Sequence, residues 1–333
     1  MRRRTWISLA VALALLAALL TAVYLRKQAP PEVARLLPEA DAIIYFNLKP
    51  LRSLTRFDQH PVAHDPDYQK FIDATGIEFE RDLDQAAFAV HRMEDPNGPN
   101  GAVAFSEVFQ GRFNGQRLTA YLEAQASTSE SYAGHTIYMV AHEGRTVRVV
   151  ELGYDLVAVT NAPTAEQIHS IINRYQSDAS PFTGDTLLTR FYSKVPLLSE
   201  AWGIGRIGSM FGPGLQFHVF GMPVSLPADA TFIASVRYLG SIHLRLEEIA
   251  PTKNDAKESV GMVNLALGLV RSAQVTTGVQ DATASDWNAF LRSVTVERKG
   301  KRAILQAVVP IRLIRNLLSA QKSAGPGAVT PSE

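Results

Sequence analysis

Trp6 to Leu25 reads WISLAVALALLAALLTAVYL, twenty residues without a charge. As a helix rising 1.5 Å per residue, such a run is about 30 Å long, the thickness of a bilayer's hydrocarbon core. A cleaved signal sequence is the competing reading, with Arg2–Arg4 as its basic start. The apolar run outlasts the usual h-region of roughly 7–15 residues. It also ends in Tyr24-Leu25-Arg26-Lys27, where cleavage would need small side chains. The expectation is therefore an uncleaved transmembrane helix within residues 1–27. Trp6 and Tyr24 sit at its two ends, the level that amphipathic rings prefer. Three arginines before the span outweigh the Arg26-Lys27 pair after it, which keeps the N-terminus cytoplasmic. Residues 28–333 then lie outside the cytoplasm, on a single-pass protein of the cell (inner) membrane.

Charge narrows the partners. Five of the 33 basic residues fall in the first 27 positions, leaving 28 against 32 acidic residues. A weakly acidic body lacks the concentrated basic face that phosphate-backbone binding requires, so nucleic acid is not an expected partner. With no cysteine in the chain, disulfides, thiolate metal sites and a cysteine nucleophile are excluded together.

Residues 28–35, with Pro30-Pro31, read as a linker biased towards polyproline II, holding the body about 25 Å from the bilayer at 3.1 Å per residue. The body divides into residues 36–180 and 181–322, followed by a Ser-, Gly- and Pro-containing tail, 323–333, expected to be disordered. The phrase Leu37-Pro38-Glu39-Ala40-Asp41-Ala42 precedes one apolar strand, and Leu226-Pro227-Ala228-Asp229-Ala230-Thr231 precedes another. The match suggests two related halves. In the first, Asp65 opens a helix that Gly76 ends, and Asn114 caps a second. His135–Ala141 and Arg145–Glu151 form a hairpin around Glu143-Gly144, pairing Val140 with Val147 and Tyr138 with Val149. In the second half, Asp255–Arg271 is a long helix whose Gly261, Asn264 and Gly268 form one small-residue stripe, expected to pack on a neighbour. The last hairpin should turn at Lys299-Gly300, pairing Val296 with Ala303 and Glu297 with Arg302. Hairpins dominate over strict β-α-β alternation. The fold class is α+β: an N-terminal transmembrane helix, then two related halves of antiparallel sheet with helices on one face.

The phrases LLPEADAIIYFNLKPL, VFQGRFNGQRLTAYL, YAGHTIYMV and DLVAVTNAPTAEQIHSII resemble an uncharacterised family of bacterial envelope proteins. The resemblance covers most of residues 36–320 and implies one N-terminal anchor before a tandem α+β body. Its motifs are structural, and no catalytic residue comes with it.

Each motif that could carry chemistry meets a physical obstacle. Gly203-Ile-Gly205-Arg-Ile-Gly208 has the letters of a dinucleotide fingerprint, but Gly212-Pro213-Gly214 forbids the helix that must receive the pyrophosphate. Asp58, His60, His64, Asp65 and Asp67 have the right softness for zinc or manganese. Pro61 and Pro66 break the continuous helix that would aim both imidazoles at one ion, so no metal is assigned. Glu78, Glu80, Asp82 and Asp84 alternate beside Arg81 as a solvated edge would. Ser319-Ala-Gln-Lys322 sits where the terminal helix frays into the tail, a poor place to hold a dyad rigid. No catalytic residue, cofactor or metal ligand is therefore expected from the sequence.

Ser209–Ala228 is different in kind: twenty residues without Asp, Glu, Lys or Arg, interrupted by Gly and Pro that rule out a second membrane helix. Met210, Phe211, Phe220 and Met222 are expected to stay partly exposed there, as an adaptable apolar interaction surface. The chain is therefore read as a membrane-anchored, non-enzymatic binding module for an envelope protein or an apolar ligand. The alternative is an envelope hydrolase whose site is assembled from distant residues. Topology is open to a direct check. A reporter fused after Glu333 should be active only outside the cytoplasm, and activity inside it would overturn the orientation.

Overall fold

The computed structural model describes residues 29–55, 64–98, 101–177, 186–206, 208, 216–219, 222–225, 227, 229–277 and 282–313. In chain order the first elements are α1 (Glu32–Leu36), β1 (Ala42–Asn47), α2 (Leu48–Thr55), α3 (Pro66–Thr75) and α4 (Phe79–Asp82). Next come β2 (Leu83–Arg92), β3 (Val103–Gly111), α5 (Gly115–Gln125), β4 (Thr128–Tyr132), β5 (His135–His142), β6 (Arg145–Glu151) and β7 (Leu156–Thr160). After α6 (Glu166–Gln176) and α7 (Leu187–Phe191) stand β8 (Ala201–Gly205), β9 (Gln216–Val219), β10 (Met222–Ser225), β11 (Thr231–Tyr238) and β12 (Ile242–Ile249). The last are α8 (Lys253–Thr277), α9 (Ala282–Ser293), β13 (Thr295–Lys299) and β14 (Arg302–Val309).

Among the described residues twelve strands form one sheet, ordered β13-β14-β12-β11-β8-β1-β2-β3-β7-β6-β5-β4, and β9 pairs with β10 alone. Every pairing is antiparallel. The sheet runs unbroken past residue 180, because β8 pairs with β1 on one side and β11 on the other.

Facing residues define the two sides. One row runs Leu305, Leu246, Ala234, Gly203, Ile44, Phe88, Glu107, Val159, Val149, so these side chains share a face. At one end of that face Ile77 and the α5 residues Leu118 and Leu122 pack on Tyr138, Val149 and Val157, with Phe71 of α3 against them. At the other end Val263 and Leu267 of α8 and Phe290 of α9 pack on Leu244, Leu305 and Ala307. Between these helix pairs Ile44 and Phe46 remain 37% and 39% exposed. The opposite face carries the main core. There Val33 of α1, Ile168, Ile171 and Ile172 of α6 and Leu188 of α7 cover Ile43, Tyr45, Val108, Val150 and Trp202.

Helices therefore lie on both faces, where one was expected. The strands towards the two ends of the sheet explain it: Tyr138, Val149 and Val157 at one end and Leu244, Leu305 and Ala307 at the other put apolar side chains on the second face too, and a single helical layer could not cover both faces. Beyond β11 the main-core face turns polar. Glu247, 1% exposed, is held there by Arg245 at 2.7 Å and Arg302 at 3.1 Å.

Local signals behave as chemistry dictates. Asp65 accepts hydrogen bonds from the Asp67 and Tyr68 N–H groups, both 2.9 Å, and Gly76 closes α3 at φ +73°. The Asn114 side chain accepts from the Arg117 N–H. The β5–β6 hairpin has the expected register, with Glu143 and Gly144 at φ +50° and +76°.

Four expectations need correction. From Glu32 onward the linker is helix α1, whose Val33 and Ala34 are fully buried, so the chain docks almost at once. The last hairpin turns at Gly300-Lys301, placing Val296 opposite Leu305, because Gly300 rather than Lys299 takes the first positive-φ position. Arg302 consequently meets Glu247 and not Glu297. The small-residue stripe of α8 faces outward, and a Cβ built on Gly261 or Gly268 meets nothing within 4 Å. The Trp6–Leu25 span and the 323–333 tail lie outside the described residues; among those described, no helix is long and apolar enough to cross a membrane.

The glycines of the sheet and of α8 differ measurably. A Cβ on Gly205 would lie 2.3 Å from the Ala42 Cβ and 2.8 Å from its Cα. Gly205→Ala should therefore cost about 1–3 kcal/mol, the range for overpacking. Gly261→Leu should leave thermal stability unchanged or raised by up to about 1 kcal/mol, from helix propensity alone. Thermal melts of the two variants check both halves of this contrast.

Candidate functional site

The β1–β8 pairing sets Tyr45 directly opposite Trp202 on the main-core face. Their rings stack with centroids 5.4 Å apart, and Tyr192 meets the indole edge-on at 5.3 Å. Tyr192 is delivered by α7, which a Thr186–Thr189 capping box starts and buried Leu188 anchors. The chain then turns through Val195-Pro196-Leu197-Leu198, and the Ser199 hydroxyl donates to the Pro196 carbonyl at 2.7 Å. The three rings and this turn bound a cavity of about 230 Å³, which Ala29 and Pro31 also line.

Leu197 and Leu198 are 42% and 64% exposed. Leu198 also holds φ +61°, a strained backbone for a γ-branched residue, of order 1–3 kcal/mol. Inside the cavity, Tyr45 donates to Gln85 Oε1 at 2.9 Å. Burial pushes its hydroxyl far above the ordinary tyrosine value, with Tyr192 adding to the effect, and burial raises Tyr192 as well. Both therefore stay neutral donors near pH 7. The described lining offers aromatic walls, an apolar lip and a few hydroxyls.

A second cavity, of about 370 Å³, is lined by Glu39, Asp41, His91, Arg92, Arg190 and Arg206 among others. Behind it runs a hydroxyl chain. His91 Nε2 lies 3.0 Å from Ser106 Oγ, which lies 3.1 Å from Thr160 Oγ1, and Thr160 donates to the Phe105 carbonyl. The first distance is that of a nucleophile–base pair. Ser106, however, is fully buried and is not among the residues that line the cavity. These hydroxyls satisfy one another in the core.

Of the residues expected to form an apolar surface, Met210, Phe211 and Phe220 lie outside the described residues, as does the Met222 side chain, of which only the backbone in β10 is placed. Gly203 and Gly205 lie within β8, not in the turn after it, so the nucleotide motif is a strand packing device. Tyr45, Tyr192, Trp202 and the leucine turn were missed in sequence. Pro196-Leu197-Leu198, an apolar turn before a strand, was the available signal.

Fold and site together define a mixed α+β protein built on a large antiparallel sheet. No protein-family model matches the chain, and no curated protein matches it. Among solved structures it is similar to TP0453. Crystal form I of that protein has 12% identity and a TM-score of 0.42, covering 88% of this chain and 98% of the other. Crystal form III has 10% identity and a TM-score of 0.43, covering 87% and 99%. A likeness at this level transfers no residue role.

His91 gives the site a pH signature. Burial holds its imidazole below the ordinary value, while Asp41 and the Glu39 backbone pull the other way. The unfolded chain therefore takes up the proton first. The contribution is full above about pH 6.5 and is lost as pH falls towards the lower folded value. Thermal melts between about pH 7.5 and 5.5 should show a shallower acid-side loss in His91→Gln than in the parent. Equal slopes would assign that loss to other groups.

Proposed function

We propose that the chain is a membrane-anchored, extracytoplasmic module of the cell envelope that binds an amphiphile without transforming it. The carrying observation is the aromatic cavity at the point where the chain leaves the proposed span. Ala29 and Pro31 are among its lining residues. Ala29 lies four positions after Leu25, a reach of about 14 Å at most. A span at Trp6–Leu25 would thus hold the cavity, and the exposed Leu197-Leu198 lip, at the headgroup region. An occupant with an apolar body and a polar end suits rings flanked by tyrosine and serine hydroxyls. At about 230 Å³ the cavity lies below the 300–1,000 Å³ common for drug-sized ligands, so it fits a chain end or a single ring.

The resemblance to envelope proteins agrees with this placement. The halves 36–180 and 181–322 are read as related because β1 and β11, the strands after the two Leu-Pro phrases, flank β8 in one register, Ile43 and Ile233 both facing Ile204. The hydrolase alternative draws on the His91–Ser106 contact and requires a Ser106 that substrate can reach. Its complete burial weighs against that.

The test uses the full chain in detergent, with Trp6→Phe and Trp287→Phe leaving Trp202 as the reporter. Lauric acid is expected to change its fluorescence saturably, and Ser193→Phe, which fills the cavity, should remove saturation. A response that only rises linearly, or that survives Ser193→Phe, would overturn the assignment.

A further inference from the structure

The structure assigns a divalent transition-metal site, of zinc type, to His64, Glu78 and Glu80. The three residues come from two stretches that each lack a site alone: the loop before α3, and the start of α4. Folding brings one ligand atom from each to within 4.8 Å of the others. His64 Nε2 and Glu80 Oε1 are 3.4 Å apart. Ligands bound at about 2.0–2.1 Å to a tetrahedral ion are separated by about 3.4 Å, so the pair already spans one edge of that polyhedron. One imidazole and two carboxylates suit zinc, with manganese the next best match, and leave a coordination position open.

Hydrogen bonds aim the ligands. Gln69 Nε2 donates to Asp73 Oδ1 at 2.8 Å, which fixes the amide and turns its Oε1 towards His64 Nδ1 at 3.4 Å. The tautomer in which Nδ1–H donates to Gln69 is the one that leaves the Nε2 lone pair for an ion on the Glu80 side. On the far side of Glu80, Oε2 accepts from the Tyr68 hydroxyl at 2.9 Å, leaving Oε1 to face the imidazole. Tyr68 itself accepts from the Phe79 N–H at 2.7 Å, and its ring meets the His64 ring edge-on at 4.8 Å. Glu78 is steadied by Arg81 at 3.2 Å. Such outer contacts are what orient first ligands in metal sites, and here each ligand has one.

Neighbouring acids are already neutralised elsewhere: Asp84 by Lys49 and Arg52, Asp82 by Arg81 and Arg112. His64, Glu78 and Glu80 keep side-chain exposures of 15%, 29% and 24%, enough for an ion to enter. A bound ion would tie the loop before α3 to α4, bracing the helix pair that covers one end of the sheet.

The experiment takes the untagged full chain in detergent, stripped with EDTA, and titrates it with Zn2+ calorimetrically and with Co2+ optically. One equivalent should bind, Co2+ should give the visible bands of a low-symmetry site, and Zn2+ should raise the melting temperature. His64→Ala and Glu80→Gln should abolish saturable binding, while Gln69→Ala should weaken it by roughly 10- to 100-fold. His169→Ala, which removes a different His–Glu pair, should bind like the parent. Glu80→Gln keeps the shape of the site, so its EDTA-treated melting temperature separates lost ligation from lost folding. Absence of saturable binding in the parent, or equal binding by parent, His64→Ala and Glu80→Gln, would overturn the assignment.

Discussion

The contact on which most of this molecule depends is the antiparallel pairing of β1 with β8. Five facing pairs, from Ala42–Gly205 to Phe46–Ala201, join strands more than 150 positions apart in sequence. Closing so long a loop costs entropy that only a well-packed seam can offset, and the cost grows slowly with loop length. The seam is close because Gly205 has no Cβ to meet Ala42. Once it forms, Ile43 and Ile204 enter the main core together, and Tyr45 comes to lie on Trp202. The aromatic cavity is thus a product of the seam and not of any local stretch.

The seam strands are apolar on the main-core side, where α1, α6 and α7 cover them, while the helices of the second face pack on the strands towards the two ends of the sheet. Between those helices, edge-to-face contacts run from Phe46 to Phe88 and on to Phe109. Glu107 lies in the same row, and burial raises its carboxyl above the ordinary value. A charge is thereby disfavoured at the centre of an aromatic surface.

Local structure was legible wherever one residue's chemistry decides it. Asp65, Gly76, Asn114 and Glu143-Gly144 each act within a few positions, and each is found in its expected role. The second hairpin differs by one position because both Lys299-Gly300 and Gly300-Lys301 contain a turn glycine; the observed turn puts Gly300 first, with Lys301 at negative φ, which sets Lys299 opposite Arg302. The α8 glycines misled for a related reason: a small-residue stripe shows that close approach is allowed, not that a neighbour is there. The His64 grouping was invisible because its parts were dismissed separately. Pro61 and Pro66 argued against His64 sharing an ion with His60, and the acids after Gly76 read as a wet edge. Only the turn between α3 and α4 sets them face to face.

The ends of the sheet have a consequence for life at high density. An open sheet offers unpaired backbone at its first and last strands, β13 and β4 among the described residues, and a second copy can add there. Here β4 is short and polar, and its Tyr132 ring lies flat on His169 at 3.7 Å, with its hydroxyl on Asn173. At the opposite margin β13 carries Glu297, Arg298 and Lys299 on exposed positions. Charged and pinned margins of this kind resist strand-to-strand templating. Crowded copies of such a body would remain a population of individuals and would not zip into ribbons.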